Sequence, residues 1–229
     1  MEQKGNMTLY KIFTFVTSIV FLNLLFLIPN LPIVVIAIIV GVKNIFHYPL
    51  FIILFFITLS PSAIALFKTT FNWIINKNFS YKYFFCSFIH GFSFDSLPLY
   101  FLTVIPSSLL FQRMIIKNFP LFGVIIPIYY LIAIICGCMF PFACLEISLF
   151  KVPLIQQVKN ILIETVVHPG LSMITALYVV FSLLIIGSFP ASLLIFIFSL
   201  YAYVFTAFYS GNLQDRIELA RSMNIENNR

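Results

Sequence analysis

The stretch Pro61-Ser62-Ala63-Ile64-Ala65-Leu66-Phe67 ends a long apolar run and precedes the first strongly polar segment of the chain. The small side chains of Ser62 and Ala65 allow a second helix to approach closely. Pro61 removes one backbone donor from the helical hydrogen-bond ladder. Trp73 follows on the polar segment. We predict that Pro61, Ser62, Ala65 and Trp73 are contacts of this region with neighbouring helices or with a partner.

The composition around this stretch is that of a membrane protein. Of the 229 residues, 62% are hydrophobic and only 9% are charged, whereas a soluble domain carries about 25% charged residues. Within a bilayer the backbone groups must be satisfied locally, and long apolar runs therefore indicate helices. We predict an all-α polytopic membrane protein with a single integral-membrane domain over 1–229, of which 212–229 is a polar cytoplasmic tail.

Apolar runs divide the chain into six predicted transmembrane helices. The first is long enough for us to expect a break and a kink at Pro29, Asn30 and Pro32. Two further segments, Thr69–Asp95 and Lys151–His168, alternate apolar and polar residues and are predicted to be amphipathic helices at the membrane surface. The six predicted spans are Ile12–Val40, Pro49–Phe67, Ser96–Phe111, Phe119–Phe142, Leu171–Ile186 and Ala191–Phe208.

The basic residues predict the orientation of these spans. Six spans place Lys43, Arg113 and Lys117 on one side, and the other ten of the 13 Lys and Arg residues on the side of both termini. The excess of positive charge marks the cytoplasmic side, so both termini and both amphipathic segments are predicted to be cytoplasmic. The net charge of +6 is spread singly between apolar runs. That distribution favours orientation in a bilayer over binding of nucleic acid.

Three polar residues fall within or near the predicted spans. Asn23 and Asn30 lie in the first span, where interhelical hydrogen bonding is their commoner role and lining of a transport path the alternative. Glu146 follows the fourth span, and a carboxylate at that depth is a candidate for ion coupling or polar pairing. We favour the simpler interpretation, in which Glu146 reaches cytoplasmic water about one turn from Lys151.

The residue pattern does not indicate an enzyme. It contains no His-Glu-x-x-His motif and no glycine-rich phosphate loop, and its two aspartates, Asp95 and Asp215, lie outside the depth of any span. The three histidines fall in connections on different predicted sides, so we expect no shared metal site and no cofactor. The four cysteines are predicted to be small apolar packing residues. They are Cys86, Cys136, Cys138 and Cys144.

Several short motifs occur together in the order typical of one family. The residues Pro61-Ser62-x-x-Ala65-Leu66-Phe67 with Trp73 are the most specific of them. The others are Asn23-Leu24-Leu25, the aromatic-rich segment Phe79–Phe94, Phe140-Pro141 at the end of the fourth span, and His168-Pro169 before the last two spans. With these motifs the chain resembles the YesL family of small bacterial multi-span membrane proteins. The resemblance adds Pro141 to the candidate helix-packing or partner contacts.

The resemblance implies a protein of the bacterial cytoplasmic membrane that accompanies carbohydrate ABC transporters. The predicted function is a non-catalytic accessory subunit that packs laterally on the importer permease, with indirect association to the ATPase and the sugar-binding protein. The segment Ile163–Gly170 does not match the Glu-Ala-Ala…Gly loop of importer permeases, which disfavours a permease proper. The alternative is a stand-alone transporter or channel for a small solute or ion, with a path past Asn23, Asn30, Pro61 and Glu146.

Overall fold

The computed structural model describes residues 2–40, 49–77, 79–108, 126–188 and 196–227. Every regular element among these residues is a helix, which confirms the prediction of an all-α fold. A short 3₁₀ turn, Phe94–Ser96, leads directly into the fourth helix. The described helices are α1 (Glu2–Val40), α2 (Pro49–Asn76), α3 (Tyr81–His90), α4 (Leu97–Ser108), α5 (Ile126–Leu149), α6 (Leu154–Val167), α7 (Pro169–Ser188) and α8 (Ile197–Asn227).

Helix α2 lies at the centre of the bundle. It packs against α1, α3, α4, α5 and α8. The residues 60–67, which contain the proline stretch, are buried without interruption, and Ala65 has no exposed surface. A helix that is buried on all sides needs small residues where neighbours approach and apolar residues elsewhere, and this stretch provides both. The predicted packing surface is therefore buried within the chain itself.

A close approach joins α2 to the end of α3. Gly91 forms the C-cap of α3 and lies against Pro61. A Cβ atom added to Gly91 would lie 2.7 Å from the Cα atom of Pro61 and 2.9 Å from its Cβ atom. Real Cβ atoms do not approach this closely, so one of the two backbones would have to move. Gly91 therefore fixes how tightly α3 packs on α2.

We expect Gly91→Ala to lower the free energy of unfolding by about 1–2 kcal/mol, because overpacking a tight contact forces a backbone shift. The matched control is Gly137→Ala in α5, where an added Cβ would have no atom within 4 Å. That change replaces glycine by a better helix former and is expected to leave stability unchanged or raise it slightly. Denaturant titration of both variants in detergent micelles measures the difference, and equal stabilities would contradict the close contact.

The polar segment after the proline stretch differs from its prediction. The second span was predicted to end at Phe67, but α2 continues to Asn76, and Lys77 then adopts the left-handed conformation with φ of 56°. Polar residues are accommodated within the helix, as where the hydroxyl of Thr70 donates to the carbonyl oxygen of Leu66 over 2.7 Å. The predicted amphipathic helix Thr69–Asp95 is therefore wrong as a single element. It is the end of α2 followed by α3.

Two further boundaries differ from the sequence-based predictions. Helix α1 continues through Pro29 and Pro32 to Val40 as one element, so the prolines do not end it. The polar tail predicted over 212–229 is, as far as residue 227, the C-terminal part of α8. Its side chain Leu213 is fully buried, which attaches this part of the tail to the bundle.

The described residues contain two helical stretches that are long and apolar enough to cross a membrane. These are Tyr10–Pro32 of α1 and Pro127–Leu149 of α5. A third span is counted if Leu154–Val167 and Pro169–Tyr178 are taken together across their 86° bend. The coarse prediction of a helical protein with membrane-spanning segments is supported by these helices. The count of six spans and the side of the termini remain predictions, and parts of three predicted spans lie outside the described residues.

Candidate functional site: buried polar contacts between helices

Asn23, predicted to lie deep in the first span, contacts the beginning of α8. The first amides of a helix have no carbonyl partner within that helix. The Oδ1 atom of Asn23 accepts hydrogen bonds from the amides of Phe198 (3.0 Å) and Ser199 (3.2 Å). The hydroxyl of Ser199 in turn donates to the carbonyl oxygen of Ile19 over 2.8 Å. Because Asn23 is fully buried, α1 provides the N-terminal cap of α8 in the middle of the bundle.

Asn30 connects α1 to the proline stretch of α2. Its Nδ2 atom donates to the hydroxyl of Ser62 (2.9 Å) and to the carbonyl oxygen of Phe26 (2.8 Å). Two residues before Ser62, the hydroxyl of Ser60 lies 3.4 Å from that of Thr103 and joins α2 to α4. The small polar residues of α2 thus act as hydrogen-bonding contacts as well as close-packing positions.

The strongest polar feature among the described residues is built on Glu146. This side chain of α5 is only 3% exposed. The Nη2 atom of Arg216 on α8 lies 3.0 Å from its Oε2 atom and 3.2 Å from its Oε1 atom. From α6, the Nδ2 atom of Asn160 donates to Oε1 over 2.6 Å. Donors from two other helices therefore bind one buried carboxylate.

Arg216 also contacts a second carboxylate, Glu164 of α6. Its Nη1 atom lies 2.9 Å from the Oε1 atom of Glu164. The other oxygen, Oε2, accepts a hydrogen bond from the hydroxyl of Tyr209 (2.5 Å) and lies 3.2 Å from the Nε2 atom of His168. Asn212 of α8 lies within hydrogen-bond distance of the same His168 nitrogen. We call Glu146, Glu164, Tyr209, His168, Asn160, Asn212 and Arg216 the ionic cluster.

The electrostatics of the ionic cluster favour a charged arginine and a neutral tyrosine. Burial alone would lower the pKa of Arg216, but the charges of Glu146 and Glu164 outweigh burial and raise it. The guanidinium also lies 4.5 Å from the ring centroid of Phe150, at cation–π distance. Burial raises the pKa of Tyr209, and its hydrogen bond to Glu164 raises it further. The cluster thus holds one permanent cation between two carboxylates, with a phenol as a neutral donor.

The position of Glu146 corrects our preferred interpretation from the sequence. Glu146 does not reach cytoplasmic water beside Lys151; it is buried, and its cationic partner is Arg216, 70 residues further along the chain. Lys151 is exposed. The reason is that α5 continues to Leu149, so the carboxylate points into the bundle instead of leaving it at a helix end. Of the two open alternatives, ion coupling and polar pairing, the geometry shows polar pairing, and the partner is an arginine of the predicted polar tail.

We expect Tyr209→Phe to lower the free energy of unfolding by about 1–2 kcal/mol, because it removes a charge-assisted hydrogen bond to a half-buried carboxylate. Tyr10→Phe removes a hydroxyl from a tyrosine that is 71% exposed and is the control, with an expected change near zero. Thermal unfolding of both variants in the same detergent measures the effect. Equal midpoints would show that the phenol does not stabilise Glu164.

The remaining candidate residues lie elsewhere. Trp73 lies in α2 among aromatic rings of α1, α8 and the segment before α3, at centroid distances of 5.8 Å to Phe15, 5.2 Å to Tyr203 and 6.1 Å to Phe79. Pro61, Ser62, Ala65 and Pro141 are buried, so the chain's own helices cover them. The structure does not bring these residues together with Glu146 into one site.

The described cysteines and histidines lie in different environments, some of them buried and others exposed. Cys136 and Cys144 are buried, as expected of packing residues, whereas Cys86 is exposed on α3 and does not follow that prediction. His90 is exposed, His168 belongs to the ionic cluster, and His47 lies outside the described residues. Within the part of the chain that the structure describes, no group of three or more His, Cys, Asp and Glu residues is placed to hold a metal ion.

Comparison with known proteins returned no relative for this bundle. No family model matches the chain, and neither a curated protein nor a solved structure matches it.

Proposed function

We propose that the chain is a multi-pass protein of the bacterial cytoplasmic membrane, with six spans and both termini in the cytoplasm. In this proposal it is a non-catalytic accessory subunit that packs laterally on the permease of a carbohydrate ABC importer. The observation that carries the non-catalytic, non-transporting role is the pairing of buried polar side chains across helices. The identity of the partner comes from the resemblance to the YesL family.

The pairing supports a packing role because polar groups that form a transport path must remain open to a solute. Asn23 caps α8, Asn30 binds Ser62, and Glu146 is bound by Arg216 and Asn160. Each of these contacts joins two different helices. Interhelical hydrogen bonds of this kind help to hold membrane bundles together, because the hydrophobic effect does not drive helices together within lipid.

The arrangement of the basic residues supports the proposed orientation. Lys68 on α2 and Lys151 before α6 are close enough for their charges to repel each other. Two basic residues that the positive-inside rule assigns to the cytoplasmic side therefore lie near each other in space. The ionic cluster joins the end of α5, α6 and the polar half of α8 at one place. This agreement supports a cytoplasmic C-terminus.

The outward face of α1 offers the surface for lateral packing. Within Tyr10–Pro32, only 28% of an 18-residue apolar segment is buried within the chain, against 39% for the corresponding segment of Pro127–Leu149 in α5. Most of the exposed side chains of α1 are large and apolar, so lipid or another membrane protein must cover them. They include Ile12, Phe13, Val16, Phe21, Leu24, Ile28 and Leu31.

Affinity purification of the tagged protein in a mild detergent, followed by mass spectrometry, tests this function. The proposal predicts permease and ATPase subunits in near-stoichiometric amounts. Leu24→Trp with Ile28→Trp adds bulk to the outward face of α1 and is expected to reduce their recovery. The matched control, Leu131→Trp with Ile134→Trp on the exposed face of α5, is expected to leave recovery unchanged. A protein recovered alone in several gentle detergents would overturn the proposal.

A second candidate function is favoured by one observation, the burial of Glu146 within a cluster of titratable groups. Ionisable residues at membrane depth commonly couple to ion movement. In this proposal the chain is a stand-alone transporter or channel, and Glu146 exchanges Arg216 for a transported cation. Proteoliposomes that contain only this protein would then show solute flux that Glu146→Gln abolishes. Absence of flux for the sugars and ions tried would remove the support for this candidate.

A further inference from the structure

Helix α6 has its polar face towards the bundle and its apolar face outward, the reverse of an amphipathic helix in a water-soluble protein. Its most buried side chains are Gln157, which is 1% exposed, and Ile161. Asn160 and Glu164, on the same face, enter the ionic cluster. The helix therefore turns most of its polar side chains towards the bundle.

The opposite face of α6 is uncovered and, apart from Lys159, apolar. Ile155 is 87% exposed and Val166 is 76% exposed, and these two residues lie close together on a helical wheel. Leu162 and Val158 extend the stripe on one side and Ile163 on the other, all of them exposed. An amphipathic helix in water would place these side chains inside, because their burial removes apolar surface from water.

The geometry points to a bilayer-seated helix: we propose that the outward stripe of α6 inserts at the boundary between the acyl chains and the headgroups of the membrane. The occupant of this face is the lipid bilayer, not a protein partner. The inference rests on the membrane location that the proposed function also uses, and it assigns to α6 a contact that the lateral packing of a permease does not require.

The length and direction of α6 fit a position in the plane of the interface. The helix has 14 residues, about 21 Å, which is shorter than the roughly 30 Å hydrocarbon core of a bilayer. It is followed by α7, whose axis departs by 86°. A helix that lies in the interface and then turns by this angle directs the next helix across the membrane. Met173, Leu177 and Phe181 continue the exposed apolar surface along α7.

Two lysines near the stripe favour a lipid bilayer as its contact. Lys151 precedes α6 and Lys159 lies on its outward side, and both are exposed. Lys159 lies within the stripe on the helical wheel, between Val166 and Ile163. A lysine at such a position keeps its stem along the apolar surface and places its ammonium group at phosphate depth. Anionic headgroups on the cytoplasmic leaflet attract such residues. The polar face behind the stripe then receives Arg216 and Tyr209 of α8, so lipid contact and the ionic cluster occupy opposite faces of one helix.

Quenching by brominated lipid tests the proposal, because the chain has a single tryptophan. Trp73→Phe provides the background, and Ile155→Trp then places the sole indole on the outward stripe, where an exposed side chain disturbs no packing. The full-length variant is reconstituted in vesicles of phosphatidylglycerol brominated near the ester end of its chains. We expect loss of emission relative to unbrominated vesicles, together with a blue-shifted spectrum.

Two further single-tryptophan variants separate the outcomes. Ile134→Trp on the exposed face of α5 is expected to be quenched by lipid brominated deep in the chains, which reports insertion of the bundle itself. Gln214→Trp, at an exposed position of α8, is expected to show no lipid quenching. One result would contradict the lipid contact of α6 but not the membrane location of the bundle. In that result Ile134→Trp is quenched, whereas Ile155→Trp is quenched no more than Gln214→Trp.

The same samples distinguish the other occupants of the stripe. A blue shift of Ile155→Trp in detergent that grows with protein concentration, without lipid quenching in vesicles, would show that a second copy covers the stripe. Quenching of Ile134→Trp no greater than that of Gln214→Trp would contradict the membrane bundle and with it both proposals. Quenching of both Ile155→Trp and Ile134→Trp supports the seating of α6.

Discussion

Arg216→Met is expected to lower the free energy of unfolding by about 3 kcal/mol, the largest effect among the substitutions considered. Methionine keeps much of the side-chain length but removes the cation that binds Glu146 and Glu164. Glu146 is 3% exposed, so the variant leaves a carboxylate buried without a counter-charge. Breaking a buried pair by removing one partner costs about 3–5 kcal/mol, and the partial exposure of Arg216 places it at the lower end.

Denaturation of the purified protein in mixed micelles measures this loss. The matched control is Lys159→Met, which removes a positive charge from the exposed side of α6 and is expected to change stability by less than about 0.5 kcal/mol. A similar loss for both variants would mean that total charge, and not the contact with Glu146, determines stability.

Asn23→Leu is expected to lower the free energy of unfolding by about 2 kcal/mol. Leucine is close to asparagine in shape but cannot accept the amides of Phe198 and Ser199. These amides begin a buried helix and have no other carbonyl within it, so the change leaves donors without a partner. We also expect the start of α8 to fray, since the side chain that caps it comes from α1.

Hydrogen exchange of the backbone amides measures both effects in one experiment. Faster exchange at the beginning of α8 in Asn23→Leu, with α5 unchanged, is the expected pattern. Leu24→Ala shortens the neighbouring, exposed side chain of α1 and is the control, with unchanged exchange in α8. Unchanged protection of Phe198 and Ser199 in Asn23→Leu would contradict the capping role.

The sequence predicts the centre of this fold well because local patterns determine it. Small residues beside Pro61 indicate close helix packing, and 60–67 is buried throughout. Long apolar runs likewise predict the helices α1 and α5. Helix ends are predicted less well: α2 passes Phe67 because polar side chains such as Thr70 bond to their own helix. Apolar runs alone therefore mark the spans but not the ends of the helices.

The polar contacts could not be predicted because their partners are distant in sequence. A buried Glu146 requires a cationic partner, and the sequence offers both Lys151 and Arg216. Local spacing favours Lys151, whereas packing of α8 on the bundle brings Arg216 to the site. The amphipathic pattern of α6 was visible in the sequence too. The ionic cluster determines which face of α6 turns inward, because Arg216 and Tyr209 of α8 bind Glu164 on the polar side of α6.

The most direct test of interhelical pairing as the role of the buried polar groups is a double-mutant cycle of Glu146 and Arg216. The free energy of unfolding is measured for Glu146→Leu, for Arg216→Met, for the double variant and for the unchanged protein. Contacting residues in one network show coupling of about 0.5–3 kcal/mol. We predict a coupling energy of at least about 1.5 kcal/mol. The double variant then loses less unfolding free energy than the two single variants lose together. Strictly additive losses would contradict the pairing.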